Sequence, residues 1–316
     1  MKRMTLILTA AILALCLGGS AAAEGTTYRI GICQLVQHTA LDAATQGFQD
    51  ALKDKLGDAV TFDLQNASGD SNTCSTIMNN FVSDNVDLIM ANATPALQAG
   101  VAATGDIPIL GTSVTDYATA LDISDWNGAT GMNVSGTSDL APLDQQAAML
   151  HELFPDAVKV GILYCSAEPN SKYQAEAIRG YLETMGCTCT DFTFADSNDV
   201  ASVAQNACDG SEVIYIPTDN TAASCTEAIR NVVEPARIPV IAGEEGICKG
   251  CGVATLSISY YDLGYTTGEM AYEVLAGGAD TASMEVRFAP NVTKEYNAEL
   301  CELLGVAIPE GYTAVE

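Results

Sequence analysis

The chain has 316 residues, of which 48% are hydrophobic and only 17% charged, so it can bury a core of one large or two ordinary domains. Acidic residues outnumber basic ones 40 to 13, for a formal charge of −27. A surface that negative repels phosphate backbones and anionic headgroups, which excludes nucleic-acid binding and electrostatic docking to membranes.

The chain opens with Lys2 and Arg3, an apolar run from Leu6 to Leu17, and the small residues Ala21, Ala22 and Ala23 before Glu24. That order predicts a secretory signal peptide over residues 1–23, too short for a membrane span of ~20 residues. Its removal takes away two basic residues and no acid, shifting the charge from −27 to −29. The expected location is extracytoplasmic, in a periplasm or at a cell surface. Cys16 follows Leu15 where a lipidation signal wants a small residue, so simple cleavage is the expectation and lipid anchoring at Cys16 the alternative.

After the leader, the chain states one pattern twice. Arg29-Ile30-Gly31-Ile32 opens one copy and Lys159-Val160-Gly161-Ile162 the other, 130 positions on. Ile107-Pro108-Ile109-Leu110 and Ile238-Pro239-Val240-Ile241 repeat at an offset of 131. In the first copy, strands near 28–34, 60–66, 86–91 and 107–110 alternate with helices near 39–56, 72–84 and 95–104. In the second, strands near 158–164, 188–194, 212–217, 239–242 and 253–257 alternate with helices near 170–186, 198–208 and 221–234. Apolar strands between amphipathic helices predict parallel sheets covered on both faces. The expected fold is α/β, with two doubly wound, Rossmann-like lobes joined by a multi-strand hinge. A helix from Tyr260 to about Ala276 is expected to return to the first lobe, with the chain crossing back near Met284 to Phe288. The first lobe is then 26–140 plus 258–286 and the second 141–257 plus 287–316. Strand ends of both lobes face a shared cleft, where such sheets bind ligands, and a hinge lets the lobes close.

Candidate ligand residues follow the strands. Gln34 ends the first and His38 lies just beyond it. Thr94-Pro95, Asn170-Ser171 after Pro169, and Asp219-Asn220-Thr221 read as helix starts. Their free N–H groups suit a carboxylate, and each residue also suits a simple cap. Asp116, Asp219 and Glu244 are acids placed to receive an ammonium. His38 alone has no assignable Ser or Cys partner for catalysis. No G-x-S-x-G, phosphate-binding loop, H-E-x-x-H or G-x-G-x-x-G occurs, so neither enzyme nor cofactor is expected. Ten cysteines remain after Cys16, including Cys187-Thr188-Cys189 and Cys248-Lys249-Gly250-Cys251. With only His38 and His151 to join them, disulfides or inert thiols are expected rather than a metal site.

The order of several short motifs resembles the tryptophan/tyrosine-type substrate-binding proteins of ABC transporters. In the first lobe they are Ile30-Gly31-Ile32 with His38 and Ala40-Leu41-Asp42, Gly47-Phe48, Asn66-Ala67-Ser68-Gly69-Asp70, Thr94-Pro95-Ala96 and Val114-Thr115-Asp116. The second adds Gly161-Ile162-Leu163-Tyr164, Glu168-Pro169-Asn170-Ser171, Pro217-Thr218-Asp219-Asn220 and Tyr260-Tyr261-Asp262-Leu263-Gly264. The resemblance implies a type I periplasmic-binding fold and a ligand held between the lobes, in several members an aromatic amino acid. It implies an ABC permease as partner, with the protein a monomer. Carried over by position, the ligand shell includes Thr94, Thr115, Asp116, Asn170, Ser171, Asp219 and Asn220. Thr94 and Ser171 would hold the carboxylate, and Asp219 or Glu244 the ammonium. Departures fall near the cleft: Asp116-Tyr117 replaces Asp-Pro, Tyr164-Cys165 replaces Tyr-Asn, and Gly243-Glu244-Glu245-Gly246 replaces Ser-Asp-Glu-Gly. Tyr117 could stack on an aromatic ligand or fill the room left by the proline. Two other readings remain: a sensory receptor with the same lobes, and an exported enzyme using His38 with Cys165 or Cys33.

Overall fold

The computed structural model describes residues 27–289 and 291–315; the expected signal peptide and Cys16 lie outside the described residues. The first sheet is built from β1 (Tyr28–Gln34), β2 (Val60–Asn66), β3 (Leu88–Asn92), β4 (Ile109–Val114) and β5 (Val134–Ser138). The second uses β6 (Lys159–Cys165), β7 (Thr188–Phe194), β8 (Val213–Ile216), β9 (Val240–Ala242) and β10 (Ala254–Ile258). β11 (Arg287–Phe288) joins the first sheet, and β12 (Val292–Tyr296) and β13 (Thr313–Ala314) join the second. The strand order is β11-β5-β4-β3-β1-β2 in one and β13-β12-β10-β9-β8-β6-β7 in the other. Stripped of the late strands, the two orders are the same, as a repeat requires. Every pairing is parallel except that of β12 with β10.

Each strand feeds two cores because successive side chains point to opposite faces. Ile30, Ile32, Leu88, Met90 and Leu110 pack with Phe48, Leu52 and Met270 on one face of the first sheet. Cys33, Ile89, Ala91, Ile109 and Val114 pack with Met78, Phe81 and Leu97 on the other. The second sheet divides likewise, with Val160, Ile162 and Tyr215 on one side and Leu163, Ile214 and Ile216 on the other. Each aliphatic side chain fully buried this way contributes about 1.5–3 kcal/mol.

The first sheet is covered by α1 (Thr39–Leu56), α2 (Ser71–Ser83), α3 (Thr94–Ala103) and α4 (Tyr117–Ala120). The second is covered by α5 (Leu143–Leu153), α6 (Pro169–Thr184), α7 (Val200–Gly210), α8 (Asn220–Ser224), α9 (Thr226–Ala236) and α10 (Glu245–Cys251). The returning helix α11 (Tyr260–Leu275) lies against α1, and α12 (Ala298–Leu304) closes the second lobe. Close approach of α11 to α1 depends on glycine. A Cβ on Gly264 would sit 1.9 Å from the Ala44 carbonyl oxygen, and one on Gly47 2.1 Å from that of Tyr261.

The chain crosses between sheets after β5, after β10 and after β11. The division expected from sequence needs correction at two edges. Arg287 and Phe288 pair with Thr137 and Ser138 in the first sheet, because their backbone extends the β5 edge before the last crossing. Ile258 ends β10 opposite Val292 and so belongs to the second sheet.

Candidate functional site

Parallel strands align their carboxyl ends, so β1, β3, β4, β6, β8 and β9 all deliver their following loops to the junction between lobes. Polar side chains gather there although the surroundings are apolar. Gln34, Thr94, Thr115, Asp139, Glu168, Asn170, Ser171, Gln174, Asp219, Asn220 and Glu244 are all buried.

Glu168, at the N-cap of α6, organises the second lobe's share. Its Oε2 accepts from Asn220 N at 3.0 Å, Asn220 Nδ2 at 2.7 Å and Asn170 Nδ2 at 3.2 Å. Its Oε1 accepts from Thr221 N and Thr221 Oγ1, both at 2.8 Å. Asn220 therefore turns its Oδ1 away, and that oxygen lies 3.2 Å from His38 Nε2 of the first lobe. An acceptor there requires the Nε2 tautomer to carry the proton, which leaves His38 Nδ1 as a bare acceptor. Burial holds the His38 pKa below the usual imidazole value, against the raising effects of Asn220, Glu168 and Asp42. A second bond joins the lobes where Gln174 Nε2 donates to Thr115 Oγ1 at 3.3 Å.

Several expected ligand residues prove to be engaged within the protein. Gln34 gives Nε2 to Val36 O and Asp42 Oδ1 and takes Thr45 Oγ1 on its oxygen, tying β1 to α1. Asp116 caps α4 through Thr119 N at 2.7 Å. Asp219 accepts Ala222 N at 2.7 Å on Oδ1 and Cys165 N at 2.6 Å on Oδ2. Glu244 caps α10 through Gly246 N and Ile247 N. Each of the three acids marked for an ammonium is thus a helix cap, and both oxygens of Asp219 and Glu244 already accept a backbone N–H. Burial raises the Asp219 pKa, reinforced by the Glu168 charge, and burial raises Glu244 to about 7. Ser171 accepts from Asn170 Nδ2 at 3.3 Å.

Other groups at the junction have no hydrogen-bond partner among the described residues: His38 Nδ1, Thr94 Oγ1, Asn170 Oδ1 and Asp139 Oδ1. Thr94 opens α3, where Ala93 is held at φ 92, a left-handed value that a β-carbon disfavours. That strain aims Thr94 and the free N–H groups of the first turn at the junction. A separate cavity of about 190 Å³ is lined by Thr39, Ala43, Glu244, Ile258, Tyr260 and Glu295, and none of the four unpartnered groups is on its wall. A depression of about 730 Å³ lies away from these groups, at the amino ends of β4 and β5 beside Pro108 and Asn133.

Tyr117 fills the room where the related pattern has proline. It is buried in the first core, its hydroxyl donates to Thr137 O at 3.2 Å, and it stands over Gly111 and Gly136. The ten cysteines from Cys33 to Cys301 are unpaired. Burial raises the Cys165 thiol to about 11, and its Sγ donates to Ala195 O at 3.5 Å rather than to His38. Among the described residues no group of three or more His, Cys, Asp and Glu converges on a metal position.

Glu168 and Tyr260 stand in quoted motifs without a sequence-derived role in the site, and Asp139 and Gln174 stand in none. Gln174 follows Asn170 by one helical turn, the signal that could have found it.

A sequence model of the ABC transporter substrate binding protein family matches residues 29–314. The tyrosine-binding protein of Clostridioides difficile strain R20291 is 39% identical over 251 residues, 78% of this chain and 72% of that protein. The ABC domain in complex with L-Trp from Streptococcus pneumonia shares 32% identity at a TM-score of 0.86, covering 90% of this chain and 97% of that one. The ligand-free, open structure of a substrate-binding protein with adhesive properties from Clostridium difficile shares 36% identity at a TM-score of 0.70, over 92% and 99% of the two chains. The tryptophan complex superposes better although the open form shares more sequence.

Proposed function

Because the chain belongs to the ABC transporter substrate-binding protein family, in the type I periplasmic-binding fold, we propose that it captures a free aromatic amino acid between its lobes and delivers it to a membrane permease for import. The observation that carries this reading is the set of buried polar atoms without protein partners that both lobes present at one junction. Thr94 Oγ1 and His38 Nδ1 come from the first lobe and Asn170 Oδ1 from the second. A buried polar atom left unpaired is costly, and a zwitterion offers donors and acceptors to each. Thr94 and the start of α3 hold the carboxylate. The names of the relatives, tyrosine-binding and L-Trp-bound, favour an aromatic side chain.

Closure is the binding step. The His38–Asn220 and Thr115–Gln174 bonds form only when the lobes meet, and the better fit to the tryptophan complex agrees with that. The protein binds without turning its ligand over, since His38 has no thiol partner in the junction. Export by residues 1–23 places the mature monomer outside the cytoplasm, facing its permease.

Thermal unfolding of the protein from Glu24 onward, against a panel of free amino acids, tests the reading. A ligand in hundredfold excess over its Kd adds ~2.7 kcal/mol. The expected result is a raised midpoint with tyrosine, tryptophan or phenylalanine. A flat response to all three with a shift from another solute would discard the aromatic ligand.

A further inference from the structure

Among the described residues, Asp139 is the fully buried acid at the junction with an oxygen that accepts nothing; half-buried Glu295, on the Thr39–Tyr260 cavity, also leaves its Oε2 without a partner. Asp139 follows Ser138 at the end of β5, where the chain leaves the first lobe, and is 3% exposed. Its Oδ2 accepts the Tyr260 hydroxyl at 3.0 Å, while Oδ1 has no hydrogen-bond partner among the described residues. The Thr115 hydroxyl lies near the same carboxyl without a well-formed bond to Oδ1. By contrast, Asp219 and Glu244 accept a backbone N–H on each oxygen, and Glu168 accepts five donors.

Charge sharpens the point. The titratable groups that sense the Asp139 charge are Tyr117, Tyr260 and Glu244, none of them cationic, and no described salt bridge reaches Asp139. A buried carboxylate without a counter-ion is unfavourable, and burial accordingly raises Asp139 to about 6. An ammonium supplies both the missing donor and the missing charge.

Resting on the reading of the junction as an amino-acid site, we infer that Asp139 Oδ1 receives the ligand's ammonium group, in place of Asp219 or Glu244. Asp139 and Tyr260 stand on two of the three crossings between lobes. Tyr260 fixes the carboxylate from behind, so the bound ammonium is held at the hinge itself.

The test compares L-tyrosine and L-tryptophan with their des-amino analogues, 3-(4-hydroxyphenyl)propionate and 3-indolepropionate, by calorimetric titration near neutral pH. Wild type and Asp139→Asn are measured side by side; the asparagine keeps an acceptor for Tyr260. Wild type is expected to bind the amino acids on the order of 100-fold more tightly than the analogues. Asp139→Asn is expected to lose about that factor for the amino acids and little for the analogues. Equal binding of amino acid and analogue by wild type overturns the inference without any variant. So does an Asp139→Asn affinity for the amino acid within about threefold of wild type, or an equal loss for both ligand types. Absence of binding to any free amino acid by wild type removes the underlying reading, and the inference with it.

Discussion

Replacing Glu168 by glutamine tests whether one carboxylate holds the second lobe's binding surface together. Five donors converge on it: three on Oε2 from Asn170 and Asn220, two on Oε1 from Thr221. Glutamine keeps one acceptor oxygen and puts an NH2 in place of the other. With its oxygen toward Asn220 and Asn170, the NH2 meets the Thr221 N–H and hydroxyl. The hydroxyl can turn and accept, but the N–H cannot, and an unpaired buried donor costs about 1–3 kcal/mol. The remaining bonds also lose their charge assistance. Against this, removing the Glu168 charge relieves Asp219, whose pKa it helps to raise. The net expectation is a loss of about 2 kcal/mol, or roughly 3 °C in Tm for a protein of this size. Glu168→Ala, which removes both acceptors, should lose more. Ligand-free thermal unfolding followed by circular dichroism checks the order. A glutamine variant melting at or above wild type would refute the reasoning, since the donors would then be satisfied without the carboxylate.

Gly264→Ala should force α11 away from α1, because the new methyl would meet the Ala44 carbonyl oxygen; overpacking of this kind costs about 1–3 kcal/mol, read as a lower Tm. Tyr117→Phe should lose about 1 kcal/mol with the Thr137 bond while ligand affinity stays unchanged; a weakened Kd would show that the ring lines the site. The ligand-free protein should melt highest in mild acid and lose stability toward pH ~8. Burial raises Asp139 to about 6 and Glu244 to about 7, so the folded chain keeps these protons where the unfolded chain has released them. Stability from these groups is therefore full below the unfolded carboxylate values near pH ~4 and is lost as pH rises through ~6–7. Asp139 alone accounts for about 3 kcal/mol at most. Exposed caps such as Asp70 and Glu212 shift the other way, but solvent screens them. A melting profile that rises steadily over the same range would contradict this.

The fold was largely legible because its signals are additive and local. Ile30, Ile32, Leu88 and Met90 alternate with Cys33, Ile89 and Ala91 in the way two covered faces demand, and the repeat supplies the same reading twice. The strand Val134–Ser138 escaped because Val-Ser-Gly-Thr-Ser has no apolar run; its polar side chains bond inside the lobe, Ser135 to Met284 O and Thr137 to Thr267. With that strand went Asp139, which owes its place to the crossing that follows. The position of the site was readable from the strand ends, and the division of labour within it was not. Asp219 already reads as a helix start, whereas Asp116 and Glu244 look like plain loop acids, and the geometry shows that all three cap the first turn of a helix. The expected helix over 221–234 breaks at Cys225 into α8 and α9, so that α8 can offer its first N–H groups to Glu168.

The late return of the chain also fixes an order of assembly. Phe48, Leu52 and Leu110 belong to a core that is completed by Met270, Ala271 and Met284. The second sheet is likewise unfinished at its β10 edge until Val292–Tyr296 has been made. Neither lobe can seal itself from the segment that opens it. At ~5–20 residues per second, the first lobe waits on the order of ten seconds between the synthesis of β5 and that of α11. Under the proposed export through a channel that admits only unfolded polypeptide, that interval comes from topology alone.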